Sequence, residues 1–206
     1  MNLPSVYLAS GSPRRYEILR NLGYQVVRVP AQIDETSYPT ENANEYVQRM
    51  AQMKNEAAID TWLQNHPQQP EFPLISADTT VSLNNLILGK PTSADDAAHM
   101  LKLLSGQQHQ VLTAVCVYWQ HQTYHALQTS TVSFAPLTPQ QIAAYIATGE
   151  PLDKAGAYGI QGFGGVFIEH ISGSFTGIMG LPVYETSQLL SQCGCTPLSN
   201  TITKLT

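Results

Sequence analysis

Charge is scarce in this 206-residue sequence: Asp, Glu, Lys and Arg make up 12%, about half of the roughly 25% usual in soluble domains. Ten basic residues stand against fifteen acidic ones, a net charge of -5. That balance lacks the basic excess or stripe of a nonspecific nucleic-acid binder, so no nucleic-acid partner is expected. A chain of this kind can still hold a polyphosphate if it gathers its few cations in one place. No uncharged apolar run approaches the ~20 residues needed to span a bilayer, and the first ten residues lack a basic segment followed by a long apolar one. No membrane association and no signal peptide are therefore expected. Three cysteines, Cys116, Cys193 and Cys195, are too few and too odd in number for a disulfide framework, and they suit a reducing cytoplasm. Two familiar signatures are missing as well. Gly-Lys followed by Ser or Thr occurs nowhere, which excludes a Walker loop, and no Gly-x-Ser-x-Gly elbow marks a serine hydrolase. The six histidines are scattered, with no zinc-ligand spacing.

What is present is an apolar share of 43%, enough for a sizeable core, and alternating strand and helix signals. Ser5–Ala9 reads as a buried strand, and Ser10-Gly-Ser-Pro13 as a polar turn whose proline suits the first turn of a helix that Gly23 stops. A strand at Gln25–Val29 and a long helix over about Asn44–Gln64 follow. The proline-punctuated stretch His66–Pro73 reads as a loop. Leu74–Ala77 reads as a strand, and Asn84-Asn85 as the turn between strands Thr80–Leu83 and Leu86–Leu88. Ser93–Asp96 caps a helix ended by Gly106. Gln110–Trp119 and Tyr124–Phe134 form a hairpin around His121-Gln122, and Thr138-Pro-Gln-Gln141 is a capping box for a helix closed by Gly149. A glycine-rich stretch from Gly156 to Gly165 leads to strands Val166–Ile171 and Phe175–Met179, turning at Ser172-Gly173, before a last helix from Pro182 to Gly194. The expected class is α/β with a mixed sheet, in one large unit spanning residues 1–206.

Four segments carry residues that could do chemistry. Ser10-Gly-Ser-Pro-Arg14-Arg15 places a small-residue turn, a helix N-terminus and two forked cations after a strand, which is an anion site; the plain alternative is a capped turn with solvated arginines. Asp78, in Ser76-Ala-Asp-Thr79, closes an apolar strand, where a carboxylate could be a metal ligand, a general base or a turn cap. Asp34-Glu35 adds loop carboxylates, and Lys54 and Lys90 add cations. The loop Asp153-Lys154…Gln161 offers a cation and an amide, with glycines that would let backbone approach a flat ligand.

In this order, Leu8-Ala-Ser-Gly-Ser-Pro-Arg-Arg15, Asp34-Glu35, Lys54, Ser76–Thr79, Gly89-Lys-Pro91, Leu104-Ser-Gly106, Pro151–Gly156, Tyr158–Gly162 and Gly180-Leu-Pro182 resemble the Maf family of nucleotide pyrophosphatases, over about residues 5–192. The resemblance implies a mixed sheet split over two lobes with a central cleft, like the inosine triphosphate pyrophosphatases. It implies hydrolysis of a nucleoside triphosphate between the α and β phosphates with Mg²⁺ or Mn²⁺. Asp78 would be the proton acceptor and Glu35 would share metal or water positioning, so both are the metal-side residues. Ser12, Arg15, Lys54 and Lys90 would hold the triphosphate, and Asp153 and Lys154 are further candidate site residues. Two branches of the family differ at positions matching Arg14, Thr79 and Gln161. Arg, Thr and Gln mark the branch acting on dTTP and UTP; Trp, Gln and Glu mark the one acting on 7-methyl-GTP. A Gln amide both donates and accepts, as the N–H and carbonyls of thymine and uracil require. A nucleotide-binding regulator of cell division without turnover is the other reading, and a homodimer is left open. No role is assigned to residues 66–73 or 193–206.

Overall fold

A computed structural model describes residues 3–197, so most of the unassigned 193–206 tail lies outside the described residues. Seven strands, β1 (Ser5–Ala9), β2 (Gln25–Arg28), β3 (Leu74–Leu83), β4 (Leu86–Leu88), β5 (Gln108–Trp119), β6 (Gln122–Phe134) and β7 (Ile168–Ser172), build one mixed sheet ordered β2-β1-β3-β5-β6-β7, with β4 on β3. β1 runs parallel to β2 and β3, and the other pairings are antiparallel. The helices are α1 (Pro13–Asn21), α2 (Ala43–Asn65), α3 (Ala94–Leu104), α4 (Pro139–Ala147), α5 (Phe175–Met179) and α6 (Val183–Gln192). None is long and apolar enough to cross a membrane.

Local chemistry explains most boundaries. Ser93 accepts from Asp96 N at the start of α3, and Thr138 with Gln141 closes a reciprocal capping box at α4, as expected. Asn42 and Glu45 make a second capping box, so α2 starts at Ala43. Asn84 and Asn85, at φ 50° and 67°, form the tight β3–β4 turn. The longer hairpin turns on Gln120 and His121, at φ 48° and 65°, and Trp119 pairs with Gln122. Its turn is thus one residue earlier than the sequence suggests.

Three further differences have physical causes. The separate strands expected at 74–77 and 80–83 are one strand, since β5 pairs with β3 from Leu74 to Ser82. Residues 163–167 are a 3-10 turn before β7 begins at Ile168. Phe175–Met179 is a helix, not a strand: the Ser174 side chain accepts from Gly177 N, and Gly180, at φ 116°, ends it after one turn. A five-residue run, two of its residues the β-branched Thr176 and Ile178, gives no periodicity to separate the two.

The two lobes share the sheet. At one end Val81, Val111, Val132 and Phe134 pack with Met100, Leu101 and Leu104 of α3 and Ile142 and Tyr145 of α4. At the other, Val6, Leu8, Ile75 and Val115 pack with Leu19 of α1 and Leu189 and Leu190 of α6 on one face. α2 covers the opposite face through Val47, Ala51 and Ala58. Between the lobes, β1 pairs with β3 only up to Ser76, and β4 only from Val81. Residues 77–80 therefore have no strand partner on that edge, and the cleft lies there. The His66–Pro73 loop is held by Trp62, whose Nε1 donates to Gln68 O, and by Tyr118, whose hydroxyl donates to Gln69 Oε1.

His109 is buried beside Phe134 and Tyr158 in the core next to α3 and α4, the upper core, its Nε2 2.7 Å from Tyr158 Oη and its Nδ1 without a partner among the described residues. Burial pushes its pKa from 6.5 down to about 4. The native ring stays neutral while the unfolded chain takes a proton below pH 6.5, so stability is full above that pH and falls on the way to pH 4, by about 3 kcal/mol. Urea unfolding between pH 7 and 4.5 should show this slope, and His109→Gln should flatten it.

Candidate active site

The unpaired edge of β3 makes both of its faces available to one cavity. Asp78 and Thr80 point to the α2 side and Thr79 to the α1 side, yet all three line a cavity of about 590 Å³. That size suits a nucleotide-scale ligand. Five of the ten Lys and Arg residues line it: Arg14, Arg15, Lys54, Lys90 and Lys154. In an acidic chain this is the concentration of cations that a polyanion requires.

On the α2 side, Lys54 Nζ lies 2.6 Å from Glu35 Oε1 and 2.7 Å from Asp78 Oδ1. One ammonium thus joins two carboxylates carried by a loop and by the sheet. Lys54 and Asp78 are largely shielded from solvent, and Glu35 is half exposed. Burial acts to raise the Glu35 carboxyl, but the hydrogen bond from Lys54 and the charges of Lys54, Lys90 and Arg15 outweigh it. The net shift is downward, so Glu35 stays ionised below the usual glutamate range. Tyr46 of α2 donates its hydroxyl to Glu35 O at 3.0 Å and fixes the loop. Burial first, then Asp78 and Glu35, push that hydroxyl up to about 12, so it remains a donor.

On the α1 side, Arg15 is buried and ties three elements together. Its Nε donates to Gly180 O at 2.7 Å, Nη1 to Ser10 Oγ at 3.0 Å and Nη2 to Thr79 Oγ1 at 3.0 Å. Three of its five N–H groups are thus engaged by protein, and two are left for a ligand. Thr79 Oγ1 also meets Thr113 Oγ1 at 2.9 Å, and Thr113 donates to Gly177 O. Burial lowers the Arg15 pKa, with Asp78 opposing, and a guanidinium keeps its proton in proteins. Ser12 is the α1 N-cap residue and its side chain makes no capping bond, so it faces the cavity beside the helix N-terminus.

The structure brings Ser12, Arg14, Arg15, Glu35, Lys54, Asp78, Thr79, Lys90, Asp153, Lys154 and Gln161 into this one cleft. Asp34 is turned away, accepting from Thr36 N and Oγ1. Lys154 pairs with Asp153 and donates to Glu150 O. Three contributors went unread in the sequence: Ser10 as the acceptor for Arg15, Thr113 behind Thr79, and Glu150. Thr113 sits mid-strand in an apolar run and Glu150 directly after a helix stop, so neither carries a local signal. The two carboxylates around one cation offer oxygen donors only, and Thr80 Oγ1 is buried on the same face without a protein partner among the described residues. That donor chemistry fits a hard divalent cation completed by water and phosphate oxygens. No group of three or more His, Cys, Asp and Glu residues suited to a metal occurs among the described residues.

Fold and site together define an α/β cleft protein whose interrupted sheet edge sets a carboxylate pair among clustered cations. The chain belongs to the Maf-like protein family, whose model matches residues 5–193. A Neisseria gonorrhoeae relative named dTTP/UTP pyrophosphatase is 53% identical over 94% of this chain and 96% of its own. A Haemophilus ducreyi relative named nucleoside triphosphate pyrophosphatase is 49% identical over 91% of this chain and 94% of its own. Among solved structures, the Staphylococcus aureus Ham1 protein aligns with a TM-score of 0.45 and 16% identity, over 64% of this chain and 72% of that one.

Arg15→Lys should be far from conservative. A lysine cannot serve Gly180 O, Ser10 Oγ and Thr79 Oγ1 together, and leaving such buried acceptors unmet costs about 1–3 kcal/mol each at most. Chemical denaturation should show a loss of about 2 kcal/mol, with nucleotide affinity reduced at the same time.

Proposed function

We propose that this protein hydrolyses dTTP and UTP to the nucleoside monophosphate and pyrophosphate, with a divalent cation. The observation that carries the reading is the convergence of Glu35 and Asp78 on Lys54 in a cleft that gathers half of the chain's cations. The names of relatives at about half identity over nearly the whole chain support the same substrate class.

In this reading Ser12, the α1 N-terminus and the two remaining N–H groups of Arg15 hold phosphate oxygens on one side of the β3 edge. Lys54 and Lys90 neutralise the charge that grows on the departing pyrophosphate. Asp78 takes the proton of the attacking water, and Glu35, kept ionised by its cationic neighbours, helps to orient that water. Mg²⁺ or Mn²⁺ held by Glu35 and Asp78 would supply charge neutralisation and a more acidic water. Arg14, Thr79 and Gln161 are the base-side residues. Thr79 acts there through its bond to Arg15, and Gln161 presents an amide matched to the N–H and carbonyls of thymine and uracil. Burial acts to raise the Asp153 carboxyl, but the hydrogen bond and charge of Lys154, then the charge of Arg14, outweigh it and hold it below its usual range. A cytoplasmic setting suits the three free thiols.

The test is a nucleotide panel with pyrophosphate detection. dTTP and UTP should be the preferred substrates, with monophosphate and pyrophosphate as the only products. Diphosphate plus orthophosphate would overturn the bond assignment, and binding without turnover would favour a regulator. Asp78→Asn keeps the shape and removes the base, so turnover should fall by roughly 10²–10⁴-fold. Gln161→Glu with Arg14→Trp and Thr79→Gln should lower dTTP turnover and raise that of 7-methyl-GTP.

A further inference from the structure

The glycine-rich loop has a feature that substrate contact alone does not explain. Its glycines are filled from inside by protein. A Cβ on Gly162 would collide with the Glu150 carboxylate, and one on Gly164 would lie 2.6 Å from Tyr145 Oη and 2.9 Å from Gly159 O. The room that the sequence suggests for a flat ligand is, at these two positions, taken by Glu150 and Tyr145. The Glu150 carboxylate accepts three hydrogen bonds: Phe163 N donates to Oε2 at 2.8 Å, while Gly164 N at 3.1 Å and Tyr145 Oη at 2.8 Å donate to Oε1. Tyr145 Oη in turn accepts from Gly159 N at 3.1 Å. The chain on both sides of Gln161 is thus fastened to a single side chain, directly at 163–164 and through Tyr145 at 159. Burial acts to raise the Glu150 carboxyl, but the N–H groups of Gly164 and Phe163, then the Tyr145 hydroxyl and Lys154, outweigh it and hold it ionised. Tyr145 belongs to the packed upper core, so the clamp is braced against the lobe and not against another loop.

We propose that Glu150 is a positioning residue for base recognition, holding loop 159–164 so that Gln161 faces the cleft. This rests on the reading of Gln161 as the residue that meets the base. Glu150 acts through that residue, with no role in the displacement at phosphorus. Glu150→Gln is nearly isosteric but offers one acceptor oxygen where the carboxylate offers two, so the N–H of Phe163 or of Gly164 loses its acceptor and the loop is loosened there.

The experiment compares the full-length wild type, Glu150→Gln, Gln161→Ala and the double variant in pyrophosphate-release kinetics with dTTP, using inorganic tripolyphosphate as a competitive inhibitor. Glu150→Gln should raise KM for dTTP about tenfold with kcat within about threefold, while tripolyphosphate inhibition stays within about twofold. The double variant should be no worse than Gln161→Ala, since residues acting through one another are not additive. Amide hydrogen exchange of residues 159–165 should quicken in Glu150→Gln while that of β3 and β5 does not. Tyr145→Phe, which keeps the core filled, should move KM in the same direction by less, and it serves if Glu150→Gln fails to fold. Equal losses for dTTP and tripolyphosphate, multiplicative losses in the double variant, or unchanged loop exchange would each overturn the proposal. A wild type that does not turn over dTTP would overturn the substrate reading instead, and loop exchange alone would then judge the clamp.

Discussion

The site depends on four residues of β3, 77–80, that have a strand neighbour on one side only. Elsewhere in a sheet, consecutive side chains face opposite surfaces and cannot serve one ligand. Here β1 leaves at Ala9 to make the Ser10–Ser12 turn, and β4 joins only at Val81, so the cleft cuts into the sheet's own edge. Asp78 then answers to α2 and Thr79 to α1 while both line the same cavity. The turn that vacates the edge also sets the N-terminus of α1 at the cavity wall. The opening and the groups that fill it come from the same few residues of chain.

Electrostatics then settles how such a polar cavity survives in the fold. Unpaired charges at this depth would be costly, and the largely shielded ones, Lys54, Asp78 and Arg15, are instead held by a neighbour of opposite sign or by hydrogen bonds. Lys54 stands between Glu35 and Asp78, and Arg15 is saturated on one side by Gly180 O, Ser10 and Thr79. These contacts are structural and preparatory at once. They fix the positions of the groups, and they leave N–H donors and carboxylate oxygens facing the cavity. Arg15 does so across the longest span, joining the first turn of the chain to the α5–α6 junction.

The sequence was most legible where local chemistry decides structure. Pro13, Ser93, the Thr138–Gln141 box and Asn84-Asn85 each announce a boundary that the backbone obeys, and the cationic segments did converge. It was least legible where the deciding partner lies far along the chain. Nothing around Thr79 shows that Thr113 and Arg15 share its hydroxyl, and nothing around Gly162 shows that a glutamate twelve residues earlier occupies its side-chain space. The continuity of β3 is of the same kind, since its polar middle breaks the apolar run that would mark a single strand and only β5 makes it one. α5 failed for the opposite reason, being too short for any period to show.

The lobes are not joined by a linker. β3, β5 and β6 each run through both, and β5 and β6 are paired along their whole length. Opening the cleft by a hinge would require breaking or shearing a continuous ladder, a motion that packed sheets resist. Access and product escape must therefore be handled by the largely exposed rim segment 30–42, fastened by Tyr46 at Glu35 O and Arg49 at Thr36 O, while residues 149–165 stay clamped to their lobe. Such segments rearrange on the nanosecond-to-microsecond scale of loops, faster than the rotation of rigid bodies. The architecture is that of a fixed jaw with a movable lip.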